Sequence, residues 1–306
     1  MKAFFSRIPV LVILLFFPIV VRSQSSALFV TIPSDARSLA LGGAKAALPG
    51  DSFSALRNPA QLVFLDGRVG IGYGYMPWMA SLQSGQNLHV ATACLNLDRK
   101  QALAVSYRYL SHPESEWIDD QGNVLGSLDP RDMAFDLSYA RVIVRNFSGS
   151  VTCRYLSSYP GSGHAMHSVV LDAGLLYRHA CSGSVVLAAG MQVSNLGCWN
   201  SEKVSLPWEL RVGGNMDFSP SGNHRITVTA DLVSTKFQSL GGCVGLEYEL
   251  FRALAFRGGY RWSDLRYGSV GTGLQWRYFA FDLGYLLASR HSVMHKTWML
   301  SARICW

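Results

Sequence analysis

His164 and His167 lie three residues apart in a stretch opened by Pro160-Gly161. Two imidazoles at that spacing can reach one metal ion if a turn aims both rings inward. A metal site also needs further ligands and an ordered surround. The Gly and Ser residues beside the pair leave both rings in solvent, and no metal is expected. Ser106, Ser138 and Ser301 fall on strand-like runs, where a hydrolytic triad needs a histidine and an acid or amide on neighbouring strands at the same height; no histidine is so placed. Gly70-Ile71-Gly72-Tyr73-Gly74 has no helix after it and cannot cradle a phosphate. These residues point to a protein that is not an enzyme and carries no cofactor.

Six cysteines invite a disulfide or zinc reading. Cys94, Cys153, Cys243 and Cys305 fall inside strand-like runs without recurring spacing, which makes them packing residues, and no CxxC pair is present to hold zinc. Cys181 and Cys198 lie near strand ends, and their pairing cannot be read from sequence. The feature that suits a macromolecular partner is the stretch 111–129. Its Glu116, Asp119 and Asp120 surround Trp117, with Glu114 close by, and a tryptophan among charges can anchor an interface. The alternative for this stretch is a solvated hairpin.

The elements that carry these residues are strands. From Gly67 onward the chain repeats about ten residues of alternating character followed by a turn signal, the pattern of a membrane-spanning barrel. Candidate strands run over 67–77, 86–96, 100–110, 130–143, 146–158, 167–180, 183–196, 206–217, 222–233, 239–250, 254–264, 268–278, 279–289 and 296–306. The fold class is all-β, a transmembrane antiparallel β-barrel of about 14 strands with an N-terminal segment packed in its lumen.

Leu103, Val105, Tyr107 and Tyr109 share one face of their run, and Ser106 and Arg108 the other. Phe256, Tyr260 and Trp262 likewise oppose Arg257 and Arg261. Alternation alone fits a soluble sandwich equally well. Aromatic placement favours the barrel, because Tyr75, Trp78, Tyr107, Tyr109, Trp262, Trp276 and Tyr278 cluster near strand ends, where membrane girdles sit. Connection length also favours it: 97–99, 144–145, 181–182, 218–221 and 251–253 are short, and 78–85, 111–129, 159–166, 197–205, 234–238 and 290–295 are generally longer, with 265–267 breaking the trend. The chain stops on Trp306, at the end of an amphipathic strand of the kind that barrel-assembly machinery reads.

Lys2 and Arg7, the apolar run Ile8–Val21 and Ser23 form the three parts of a secretory signal, so residues 1–23 are expected to be removed. Pro9 and Pro18 interrupt the run, which is short for a membrane helix of ~20 residues. Removal lowers the formal net charge of +7 by the three cations Lys2, Arg7 and Arg22. The remaining Lys and Arg are scattered, which argues against nucleic acid as a partner.

Ser34-Asp35-Ala36-Arg37-Ser38-Leu39-Ala40-Leu41-Gly42-Gly43-Ala44, then Asp51 and Asn58-Pro59-Ala60, resemble the opening motif of the PorV/PorQ family of FadL-like outer-membrane proteins. Ser106–Tyr109, Asp119–Gly126, Phe135–Arg141 and Arg154-Tyr155-Leu156 are similar to the PorV branch. Arg57 stands where that family places an aromatic. The resemblance implies three parts: the signal, a plug segment over 24–66 and an integral outer-membrane barrel over 67–306. It implies a role in the type IX secretion system, binding cargo with a C-terminal signal domain and passing it from the translocon barrel to the sortase, with outer-membrane lipid around it. The other reading is a FadL-like transporter of a hydrophobic small molecule, since fold does not fix function. Within the plug, Arg37, Gly42, Gly43, Asp51, Asn58 and Pro59 are the candidate structural residues. Arg37, Asp51 and Asn58 are expected to reach inward-facing groups such as Asp136, Arg108 or Glu247.

Overall fold

The computed structural model describes residues 28–81, 84–119, 121–197, 206–236, 239–263, 266–289 and 292–306. The expected signal segment 1–23, Asp120 and Cys198 lie outside the described residues.

Among the described residues sixteen strands follow one another. They are β1 (Val69–Pro77), β2 (Asn87–Asn96), β3 (Gln101–Ser111), β4 (Ser115–Ile118), β5 (Val124–Leu128), β6 (Arg131–Val144), β7 (Phe147–Tyr159), β8 (Met166–Ser182), β9 (Val185–Leu196), β10 (Glu209–Ser221), β11 (His224–Thr235), β12 (Gly241–Leu250), β13 (Leu254–Trp262), β14 (Tyr267–Trp276), β15 (Phe279–Leu287) and β16 (Trp298–Cys305). Fourteen of them close into an antiparallel barrel, and β4 and β5 pair separately as a hairpin between β3 and β6. The seam joins β1 to β16, with Gly70 opposite Cys305 and Tyr75 opposite Leu300.

Alternation along each strand sorts the faces, and the sorting is the reverse of a water-soluble protein. On β3, Leu103, Val105 and Tyr107 are exposed, whereas Ser106 and Arg108 are buried inside. On β6, Phe135 and Leu137 are exposed and Asp136 and Ser138 buried. Carboxylates and guanidiniums inside and aliphatic side chains outside suit only a lipid surround. This decides between the barrel and a soluble sandwich, whose apolar face would have pointed inward.

Strand ends differ from expectation by a few residues. β8 extends to Ser182 and β10 to Ser221, so the short turns are Gly183-Ser184 and Gly222-Asn223. β16 begins at Trp298, after turns that occupy the start of the expected strand. Trp78 does not join a girdle; it packs against the internal apolar cluster beneath the long loops. The stretch 111–129 holds the hairpin β4–β5.

Residues 28–66 fill the lumen. Short helical pieces suit a segment that must turn repeatedly inside a tube, and three of them are started by a capping side chain. Asp35 caps α1 (Ala36–Ala40), accepting a hydrogen bond from the Ser38 backbone N–H at 2.9 Å. Asp51 and Ser54 form a reciprocal capping box on the 3-10 turn Ser52–Ala55. Asn58 caps the 3-10 turn Pro59–Phe64, with Pro59 at its first position, where a missing N–H costs nothing. Each cap satisfies donors that would otherwise be stranded in a dry interior.

The filling is layered along the barrel axis. Under the long loops, Phe29, Val30 and Ile32 pack with Met76, Leu88 and Met299 as an apolar layer. Charged residues occupy the middle. Toward the short turns, Ala55, Leu62 and Val63 pack against Ala102, Ala104 and Ala140.

Candidate functional site

Two regions carry chemistry beyond packing: the charged lattice between plug and barrel wall, and the hairpin above it.

The lattice begins with Arg37 on α1. Its Nε donates to Glu247 Oε2 at 2.9 Å and its Nη2 to Glu247 Oε1 at 2.7 Å, a two-point grip on a β12 carboxylate. Its Nη1 lies 3.4 Å from Asp51. Glu247 also receives Arg257 of β13, which bonds Asp282 of β15 at 2.7 Å, and Asp282 in turn pairs with Arg303 of β16. Charge therefore alternates from the plug across the inner wall, and each guanidinium has a carboxylate.

Asp51 binds within the plug, to Arg57 and Arg37, and makes no direct hydrogen bond to the wall among the described residues. Burial pushes its carboxyl up, but Arg57, Arg303 and Arg37 outweigh burial and hold it down at about 2. Arg57 is completely buried and bridges Asp51 and Asp35. An arginine in the family's aromatic position is thus matched by two carboxylates. Asn58 donates to the carbonyls of Ala46 at 2.9 Å and Leu175 of β8 at 3.1 Å, tying the plug to the opposite wall. Asp136 pairs with Arg154 of the barrel rather than with the plug. Arg108 reaches the plug through the Val30 carbonyl at 2.6 Å.

Gly42 and Gly43 end α1 with φ of +72° and +87°, the left-handed region that favours glycine. At Gly42 a β-carbon would stand 2.7 Å from the Tyr260 carbonyl oxygen, so backbone meets backbone there. The wall is cut away to match: a β-carbon on Gly259 would lie 2.2 Å from the Gly42 nitrogen.

Several members of the lattice were not singled out from sequence. Lys45 bridges to Glu209 at 3.1 Å, and Arg211 joins Glu209 to Asp231, which accepts the Lys45 and Ala46 backbone N–H groups. Gln61 donates to the Lys45 carbonyl at 3.0 Å. The inward phase of β10 and β11 marks Glu209, Arg211 and Asp231 as luminal; which of them meets Lys45 depends on where the plug bends.

A cavity of about 620 Å³ opens at the short-turn end, lined by Arg37, Asp51, Glu247, Arg257, Asp282 and Arg303. The same lining also holds apolar side chains, among them Phe64, Leu65, Leu254 and Leu274.

In the hairpin, Glu116 faces Ser127, and Trp117 faces Gly126. Trp117 is 53 % exposed, with Val124 and Leu125 exposed on the partner strand. Asp119 shapes the tip by accepting from Asn123 through both side chain and backbone, and from the Gln121 N–H. These bonds, led by the Asn123 side chain, hold its carboxyl below the ordinary range. Glu116 and Trp117 are both exposed, on opposite faces of their strand, and Asp119 is committed to the turn.

A closed barrel of fourteen strands with an apolar exterior and a plugged, charged lumen defines the class, a transmembrane β-barrel of the FadL type. Solved structures agree in fold. The toluene transporter TodX of Pseudomonas putida superposes with a TM-score of 0.59 at 12 % identity, covering 89 % of this chain and 98 % of its own. The toluene transporter TbuX of Ralstonia pickettii gives 0.59 at 10 % identity, covering 91 % and 100 %. A FadL homologue of Pseudomonas aeruginosa gives 0.55 at 10 % identity, covering 89 % and 98 %. No curated protein sequence matches the chain. The family model described as type IX secretion system protein PorV matches residues 21–237, and the chain belongs to that family.

Proposed function

We propose that this protein is an integral outer-membrane component of the type IX secretion system, exported by the signal 1–23 and acting without catalysis. It binds cargo bearing a C-terminal signal domain and hands it from the translocon barrel to the sortase. The single observation that carries this reading is the family match over residues 21–237, which spans the whole plug and the hairpin β4–β5. With the termini and short turns facing the periplasm, the hairpin stands outside the cell, and its exposed Glu116 and Trp117 form the partner-binding surface.

The alternative, uptake of a hydrophobic small molecule as in the toluene transporters, rests on shared fold. A greasy conduit needs an apolar, continuous pocket. Here an apolar layer fills the loop end, and the cavity beyond it interrupts its apolar lining with a cluster of ionic side chains that includes Arg37, Glu247, Arg257 and Asp282.

A photo-crosslinking amino acid at position 117 tests the reading in cells. Adducts with the translocon barrel or with proteins carrying the C-terminal signal domain are expected. Adducts limited to lipid, with normal surface display of those proteins, would leave small-molecule transport as the better reading.

A further inference from the structure

The six short turns at one end of the barrel are unequal in charge to the rest of the molecule. They carry Arg99, Lys100, Arg145, Arg252 and Arg277 against one carboxylate, Asp98. Asp98 is already engaged by the backbone N–H groups of Lys100 and Gln101 at 2.9 and 2.7 Å. The four arginines are exposed and make no ion pair among the described residues. The lumen, by contrast, matches its guanidiniums with carboxylates.

Beside these cations the same turns display large apolar rings. Phe251 is 62 % exposed next to Arg252, and Trp276 and Tyr278, 66 % and 61 % exposed, flank Arg277. The Arg277 guanidinium sits 5.6 Å over the Trp276 ring. Such rings are disfavoured in bulk water and settle at the boundary of headgroups and acyl chains. Arg99, Arg252 and Arg277 also hold left-handed backbone, with φ of 58°, 54° and 53°, where Asn or Gly fits with less strain.

We propose that the short-turn end is a binding surface for anionic phospholipid headgroups. Arg99, Arg145, Arg252 and Arg277 hold lipid phosphates, and Phe251, Trp276 and Tyr278 set the depth of the turns in that leaflet. The ring positions fix the arginines at headgroup height, and an unpaired guanidinium suits a phosphate with two parallel hydrogen bonds. A basic residue near an anionic membrane surface attracts it measurably, and the attraction weakens as salt screens it. This inference does not depend on the secretion role.

The test is to place the full mature protein in nanodiscs of equal phosphatidylglycerol and phosphatidylcholine and to count the lipids retained on release by native mass spectrometry. Phosphatidylglycerol is expected to be enriched about fivefold or more. The combined Arg99→Gln, Arg145→Gln, Arg252→Gln and Arg277→Gln variant, checked for a closed barrel by its heat-modifiable migration, should return to parity. If that variant does not fold, rising salt on the unmodified protein must erode the enrichment. Excess inorganic phosphate should leave it in place; loss of enrichment to free phosphate overturns the lipid assignment, as does parity in the unmodified protein or enrichment indifferent to both the substitutions and salt.

Discussion

Arg37 and Glu247, 210 residues apart in sequence, are joined by two hydrogen bonds in the middle of the barrel. That pair helps fix a short helix inside a tube, because withdrawing either partner leaves the other buried with a single counter-charge, Asp51 for Arg37 or Arg257 for Glu247. Removing one member of a buried pair costs about 3–5 kcal/mol. Arg37→Ala and Glu247→Ala should each lower the thermal midpoint of the detergent-solubilised barrel. The double substitution should cost less than the sum of the two, since Arg257 retains Asp282. Strict additivity in a double-mutant cycle would show that the pair is not coupled.

Gly259 and Gly258 make a second comparison. The first presses on the plug; the second has nothing within 4 Å of an added β-carbon. Gly259→Val is expected to overpack the contact by at least about 1–3 kcal/mol, dislodging residues 28–66 while the barrel stays closed. Gly258→Val should leave the plug seated. Labelling of a cysteine introduced at Ser38, which is buried in the docked plug, reads the difference: fast for the first variant and slow for the second.

Asp51 gives a pH dependence. Its folded pKa of about 2 lies below its ordinary 3.8. A depressed carboxyl stabilises docking fully above the ordinary value, and this contribution is lost as pH falls through the folded one. The plug should therefore remain docked at pH near 3 and loosen below about 2. A carbon-13 titration of the Asp51 carboxyl checks this directly; a midpoint near 4 would mean that Arg57, Arg303 and Arg37 do not hold it.

Much of the barrel is legible in the sequence because a period of two is a local signal. Leu103, Val105 and Tyr107 against Ser106 and Arg108 reveal both a strand and its faces. The ends of β8 and β10 are less legible, since Ser182 and Ser221 suit a strand end as well as a turn. The plug has no period. Its visible marks are the capping residues Asp51 and Asn58-Pro59, whereas the bond from Asn58 to the Leu175 carbonyl depends on three-dimensional closure. Arg57 reads from sequence only as a departure from the family. Its role is visible once Asp35 and Asp51 are seen to converge on it.

The hairpin separates function from stability. Trp117 and Glu116 are exposed, so W117A with E116K should change barrel stability by no more than about 0.5 kcal/mol. Under the proposed role the same variant should reduce surface display of cargo in cells. Unaltered display, measured by surface biotinylation, would remove the hairpin from the binding surface.

The most direct measurement is the secreted and surface proteome of a deletion strain beside its parent, scored for proteins with the type IX C-terminal signal domain. The account predicts that these proteins leave the surface and accumulate uncleaved in the periplasm, and that the intact gene restores them. Unchanged secretion and processing in the deletion strain would contradict it.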